Sequence, residues 1–154
     1  MRSGFDSLWT HQLDCSIVAI HNDLEFKMIC VKTYLDKSAL HGIGIFAAER
    51  IVKGTLVWVY NSNVDWLTSE EQLQLLSRPC QEQIRKYAYF DETRNALVMC
   101  GDDGRHMNHS NTPSCSDTDI IGSTTAARDI EIGEELTSDY ASFTSTQYQY
   151  EEFK

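Results

Sequence analysis

The sequence is short of the features that would force an unusual architecture. Its 154 residues hold only two prolines and eight glycines, so neither a collagen-like repeat nor a low-complexity chain fits. Long apolar runs are missing, and the longest, such as Leu56–Tyr60, are far too brief to span a bilayer. Ser16–Ile20 is short and lies between Asp14 and His21, so no signal peptide and no membrane association are expected, and a soluble intracellular protein is. Cations are scarce: 13 Lys and Arg face 23 Asp and Glu, a net charge of −10. A chain that grips phosphate backbones needs the opposite balance, which argues against direct nucleic-acid binding. An acidic surface keeps a protein soluble and attracts basic partners. The five cysteines (Cys15, Cys30, Cys80, Cys100 and Cys115) are odd in number and contain no C-x-x-C pair. They suit neither a disulfide framework nor a zinc cluster and read mostly as small buried hydrophobes.

What is present is ordinary for one globular domain: 42% hydrophobic and 23% charged residues over a length that buries a sizeable core. Ser16–Ile20 and Glu25–Leu35 read as strands, followed by a glycine-containing strand at His41–Ala47 and a β-branched, aromatic one at Thr55–Tyr60. Thr68-Ser69-Glu70-Glu71 has the form of a capping box, with Leu73 and Leu76 at helical spacing behind it. Pro79 is expected to interrupt, with a second short helix over Glu82–Tyr87. Asn95–Cys100, Asp119–Arg128 with a break at Gly122, and a short segment ending at Tyr140 read as strands. The sum is a mainly β fold, a single domain over 1–154 with one helical insert at 68–90.

Three segments carry chemistry. Gly42-x-Gly44 lets backbone approach a ligand closely, yet it lacks the third glycine and following helix of a dinucleotide fingerprint. Arg105-His106-Met107-Asn108-His109-Ser110-Asn111-Thr112-Pro113-Ser114-Cys115 is dense in hydrogen-bonding groups. His106 and His109 stand three apart, but no acid or thiol completes a metal set, although Asp102 and Cys115 are near, so no metal is expected. Ser110 lacks the glycine-flanked elbow of a hydrolase. Arg128–Tyr140 is an acidic turn running into a strand that ends in Asp139-Tyr140.

In this order and spacing, the three resemble the SET-domain protein lysine methyltransferases. The family's opening G-x-G and its "lfA-x-x-x-I-x-x-G" phrase match Gly42–Gly44, Ile45-Phe46-Ala47 and Ile51 to Gly54. Its "R-F-I-N-H-S-x-x-P-N-C" matches Arg105–Cys115, and its "G-E-E-L-T-Y-D-Y" matches Gly133–Tyr140. The resemblance covers roughly 34–141, with flanking strands at 15–33 and an aromatic tail at 142–154, and is nearest to compact single-domain bacterial members. It implies a SET fold of several small curved sheets with a knot-like C-terminal threading. It implies S-adenosyl-L-methionine as methyl donor and a lysine-containing basic protein or peptide as substrate. Tyr140 matches the catalytic tyrosine. The cofactor-binding set is Gly42, Ile43, Gly44, Arg105, Asn108, His109 and Tyr140, with His109 acting mainly through its backbone. Tyr87, Tyr89, Ser138 and Phe143 are expected to line the substrate channel.

The chain departs from the pattern at Ser138, where an aromatic is usual, which implies a roomier channel. Ser114 stands for the usual asparagine and His106 for an aromatic or apolar residue. No cysteine follows Cys115, so the zinc-binding segment of many eukaryotic members is missing, and Phe143, Tyr148, Tyr150 and Phe153 are the aromatics left to close the channel. Trp9, Trp58 and Trp66 read as core or interface. The rival readings are a catalytically silent SET domain that binds basic partners and a small-amine methyltransferase. A homodimer that completes the groove is a further expectation. The expected location is the cytoplasm, or the nucleus in a eukaryotic host.

Overall fold

The computed structural model describes residues 28–118 and 122–142. Trp9, Cys15, the strand expected at 16–20 and the aromatics Phe143, Tyr148, Tyr150 and Phe153 lie outside the described residues. Within them the architecture is a set of small sheets. Strand β1 (Thr33–Lys37) pairs antiparallel with β2 (Ile43–Ala47) in the register Thr33↔Ala47 to Lys37↔Ile43. The connecting turn is tied by Ser38, whose hydroxyl accepts from the amides of Leu40 (2.9 Å) and His41 (3.2 Å). It re-enters β2 through Gly42 at φ +51°, the left-handed region that favours glycine.

Strands β3 (Leu56–Val59), β8 (Cys115–Asp117) and β9 (Ser123–Ala126) form one three-stranded antiparallel sheet, in the order β3-β9-β8. Strands β4 (Trp66–Thr68), β5 (Tyr89–Asp91) and β6 (Ala96–Met99) form another, in the order β4-β6-β5. Of the strand expected over Asp119–Arg128, the described part is β9, which follows Gly122 at φ +74° and ends at Ala126. Its partner β8 is an edge strand that leaves Ser116 and Asp117 exposed.

Two helices follow β4. Helix α1 (Glu70–Gln74) is capped one residue later than the sequence pattern suggested. Ser69, not Thr68, accepts from the Gln72 amide at 3.2 Å, and the Gln72 side chain accepts from the Ser69 amide at 2.9 Å. Thr68 is unavailable because it ends β4, paired with Leu97. Helix α2 (Arg78–Tyr87) starts well before Glu82, with Pro79 in its first turn. Proline costs nothing there, because the missing N–H has no intrahelical partner anyway. So Pro79 opens the second helix instead of interrupting the insert.

The main core gathers Ile45, Val57, Trp58, Cys100, Cys115, Ile130 and Leu136, and a satellite of Leu73, Ala88 and Leu97 lies under the insert. Each fully buried aliphatic chain there contributes about 1.5–3 kcal/mol. Trp58 is core as expected, whereas Trp66 is 70% exposed. Among the described cysteines, Cys100 and Cys115 are buried but Cys30 is half-buried and Cys80 exposed, so the expectation of mostly buried thiols holds for two of these four. Burial pushes the Cys115 thiol up to about 11.

The last strands decide the topology. β7 (Asn108–His109) and β10 (Thr137–Ser138) pair in parallel, Thr137 opposite Asn108 and Ser138 opposite His109. Ser114, fully buried, locks this crossing. Its amide donates to Thr137 Oγ1 (3.0 Å), and its hydroxyl accepts from the Thr137 amide (2.9 Å) and donates to the Glu135 carbonyl (3.1 Å). Ser114→Ala strands two buried backbone groups and should cost about 1–3 kcal/mol, read as a lower urea midpoint at unchanged slope.

Candidate functional site

Asn108 begins β7 and reaches back to the turn before β2. Its Nδ2 donates to the carbonyl of His41 (3.0 Å), the carbonyl of Ile43 (3.3 Å) and Oε1 of Glu135 (2.7 Å). All three partners are acceptors, so the amide orientation follows from the network and the nitrogen is the group pointing at them. What Asn108 offers elsewhere is its oxygen. Glu135 ties the same turn from below, its Oε2 accepting from Ser38 Oγ at 2.9 Å. Gly44 passes directly over this carboxylate: a Cβ at Gly44 would sit 2.3 Å from Oε1 and 2.8 Å from Cδ. The two glycines therefore do different work, Gly42 by its backbone angle and Gly44 by close approach. The result is a cradle of carbonyls and carboxylate around Gly42, Ile43 and Gly44, rich in acceptors.

One strand step away lies Tyr140. Its hydroxyl donates to the Met107 carbonyl at 2.7 Å, so toward any other group the oxygen acts as acceptor. Its amide donates to His109 Nδ1 at 3.2 Å. That places the imidazole proton on Nε2, which reaches Asn111 Oδ1 at 3.2 Å. Asp139 approaches Nδ1 to 3.7 Å, but an Nδ1 that accepts from an amide makes no charge pair with it. The rings of His109 and Tyr140 stand 5.5 Å apart. Ser138, buried, donates to the Met107 sulfur at 2.9 Å. Met107 thus anchors both Tyr140 and Ser138.

Tyr140 and Ser138 open onto a cavity of about 450 Å³, lined also by Tyr87, Tyr89 and Arg105. Tyr87 meets His106 edge-on at 5.6 Å, and Tyr89 meets Trp58 edge-on at 6.4 Å. Burial raises the Tyr89 phenol, which stays protonated. Burial and the adjacent Arg105 charge lower His106, which favours its neutral form.

The structure sorts the residues singled out in the sequence into two adjoining groups. Gly42, Ile43, Gly44 and Asn108 build the cradle. Tyr87, Tyr89, Arg105, Ser138 and Tyr140 line the cavity, and His109 sits at the junction. Arg105 opens on the cavity, although its 3₁₀ turn (Asp103–His106) packs against β2. Phe143 lies outside the described residues. Among the described residues no cluster of three His, Cys, Asp or Glu is placed to hold a metal ion. Asp102 has other work, accepting from the Ile29 amide (2.8 Å), the Gly104 amide (2.9 Å) and Trp58 Nε1 (3.3 Å). Sequence reasoning missed Glu135, Ser38 and Met107. Glu134 and Glu135 look alike in the chain, yet Glu134 pairs with Arg128 on the surface at 2.5 Å while Glu135 turns inward. Alternation along an extended segment was the available signal.

Comparison with known proteins agrees with this geometry. A family model described as SET domain matches residues 42–141, well over half of the chain. The chain belongs to the SET-domain family. It is similar in fold to a candidate histone methyltransferase of Plasmodium falciparum, with 22% identity, a TM-score of 0.53, and coverage of 73% of this chain and 96% of that one. It is also similar to Chaetomium thermophilum Polycomb Repressive Complex 2 bound to the inhibitor GSK126, with 24% identity, a TM-score of 0.56, and coverage of 73% and 16%. The C. thermophilum complex in an autoinhibited conformation bound to S-adenosylmethionine gives 25% identity, a TM-score of 0.58, and coverage of 75% and 16%. The chain thus spans about a sixth of the length of those Polycomb chains. No curated protein matches the sequence.

Gly44→Ala drives a methyl group into a carboxylate held by two partners and should cost about 1–3 kcal/mol of unfolding free energy. Repeating it in a Glu135→Ala background should recover most of that loss, whereas the Gly42→Ala cost should not change between backgrounds. Denaturant titrations of the full mutant cycle measure the coupling.

Proposed function

We propose that this chain transfers a methyl group from S-adenosyl-L-methionine to the side-chain amine of lysine in a protein or peptide. Membership of the SET-domain family supports the reading, as does likeness to a fold that has been captured with S-adenosylmethionine. The observation that carries it is the two-residue pairing of β7 with β10, which sets the acceptor-rich cradle of Asn108 beside the cavity floored by Tyr140.

The residues present fit that cofactor. When bound, S-adenosylmethionine supplies a methyl group already activated on a cationic sulfur, so the hard chemistry is the cofactor's. Asn108 spends its nitrogen on three acceptors and offers its oxygen to the ammonium end of the donor's amino-acid part. The backbone of Gly42, Ile43 and Gly44 and the carboxylate of Glu135 add negative potential beside a cationic ligand. His109 contributes backbone on the strand shared with Asn108. Arg105 stays in the binding set because its turn packs against β2.

On the cavity side, lysine arrives mostly as ammonium and must lose a proton to attack. A channel walled by Tyr87, Tyr89 and Ala88 strips water from the charged form and lowers its pKa. The Tyr140 oxygen, its own hydrogen committed to Met107, accepts from the amine N–H or from weakly polarised C–H groups and so fixes the direction of approach. Ser138 leaves room where a larger side chain would crowd the amine, so we read more than one methyl added per lysine. The reaction belongs in the cytoplasm of a bacterial cell or in the nucleus of a eukaryotic one.

The test is transfer of labelled methyl to basic proteins and host lysate. Tyr140→Phe should keep donor binding and lose roughly a hundredfold in rate. Asn108→Ala should instead weaken donor binding by about tenfold. Mass spectrometry should show Ser138→Tyr shifting product toward a single methyl. Labelling that survives Tyr140→Phe unchanged would refute the assignment, and donor binding with no labelled protein would favour the binding-module or small-amine reading.

A further inference from the structure

Asp117 ends β8 and lines the same cavity as Ser138 and Tyr140. Its Oδ1 accepts from Thr124 Oγ1 at 3.2 Å, and its Oδ2 accepts from Ser142 Oγ at 2.8 Å. Thr124 thus holds one oxygen, while the single Ser142 hydrogen is shared between Asp117 and the Asp139 carbonyl at 2.6 Å. Among the described residues no cation lies within ion-pair distance of it, whereas Asp91 in the same cavity is taken by Arg94. Burial, together with the charge of Asp139, raises the Asp117 carboxyl above the ordinary range despite both hydroxyls. Asp117 is exposed as a residue at the edge of β8, yet its carboxyl stands in the crowded wall of the cavity, where a cation that no described residue supplies would be a favourable partner. The cations that line the cavity, Lys86 and Arg105, belong to α2 and the 3₁₀ turn, while Asp117, Ser123 and Thr124 come from the β8–β9 sheet.

Asp117 and Tyr140 line the cavity but are held by different partners. The Tyr140 hydroxyl is turned to Met107, while Asp117 is tied to Ser142, two residues further along the chain. The cavity, about 450 Å³, is of a size that holds a small ligand and so exceeds the needs of one lysine side chain. A carboxylate with lone pairs left on both oxygens also suits a planar, two-pronged guanidinium better than a point-like ammonium. We propose that Asp117 binds the guanidinium of an arginine neighbouring the target lysine and so selects which lysines are accepted. This deepens the methyltransferase reading and rests on it for the role of the lysine.

The test uses short fluorescent peptides with one lysine and one arginine, the arginine moved along the flanking positions, each with a citrulline counterpart. Citrulline keeps the shape and removes the charge. Binding is followed by anisotropy on the whole chain, and methyl transfer is assayed separately. At one position the arginine peptide should bind about tenfold more tightly than its citrulline twin. Asp117→Asn should erase that difference with an unchanged melting temperature, and Asp117→Lys should prefer glutamate at the same position. No arginine preference in the wild type, or the same preference in Asp117→Asn, overturns the proposal. A preference that depends on Asp117 with no methyl transfer to any peptide sustains this subsite and counts against the enzymatic reading instead.

Discussion

Two residues of parallel strand, Asn108–His109 against Thr137–Ser138, join segments almost thirty positions apart in the chain. So short a pairing has little strength of its own, and Ser114 supplies the rest by bonding both the amide and the hydroxyl of Thr137 and the carbonyl of Glu135. The cradle and the cavity both hang from this crossing. Asn108 leaves it in one direction toward the turn of Gly42, and Tyr140 leaves it in the other toward Met107. Loss of the crossing would separate the two halves of the site.

The polarity of the hydrogen bonds around the site is consistent. In the cradle, the Asn108 nitrogen and the Ser38 hydroxyl are spent on carboxylate and carbonyl oxygens, and in the cavity the Tyr140 hydroxyl is spent on a carbonyl. In these bonds the donors are consumed internally, although Lys86 and Arg105 keep cationic donors on the cavity wall. Around Asn108 and Tyr140 the remaining oxygens favour groups bearing N–H or polarised C–H bonds. A net charge of −10 over the whole chain acts in the same direction at longer range. Around Asn108 and Tyr140 the local polarity and the net charge of the chain act in the same direction.

Much of this was legible from residue order. The glycine strand, the turn at Lys53-Gly54, the helical insert and the strand at Ala96–Met99 follow from local pattern and turn chemistry. The errors have local causes too. Thr68 lost its capping role to Ser69 because pairing with Leu97 claimed it, and Pro79 opens a helix because first-turn amides are unpaired. Strand β8 was missed because an edge strand with two exposed polar residues carries no hydrophobic alternation.

By itself the sequence determined which residue types were available to the site and in what order: a close-approach glycine, an amide, an imidazole and a phenol. These are matters of side-chain chemistry and short-range spacing, written in the chain. Only the tertiary structure decided that Glu135 and not Glu134 supports the cradle, that Met107 holds both Tyr140 and Ser138, and that Asp117 lines the cavity with no cation among the described residues paired to it. Each of those outcomes depends on which face of an extended segment meets a partner many residues away. That choice is set by long-range packing around the β7–β10 crossing; alternation along the chain separates Glu134 from Glu135 without saying which of them turns inward.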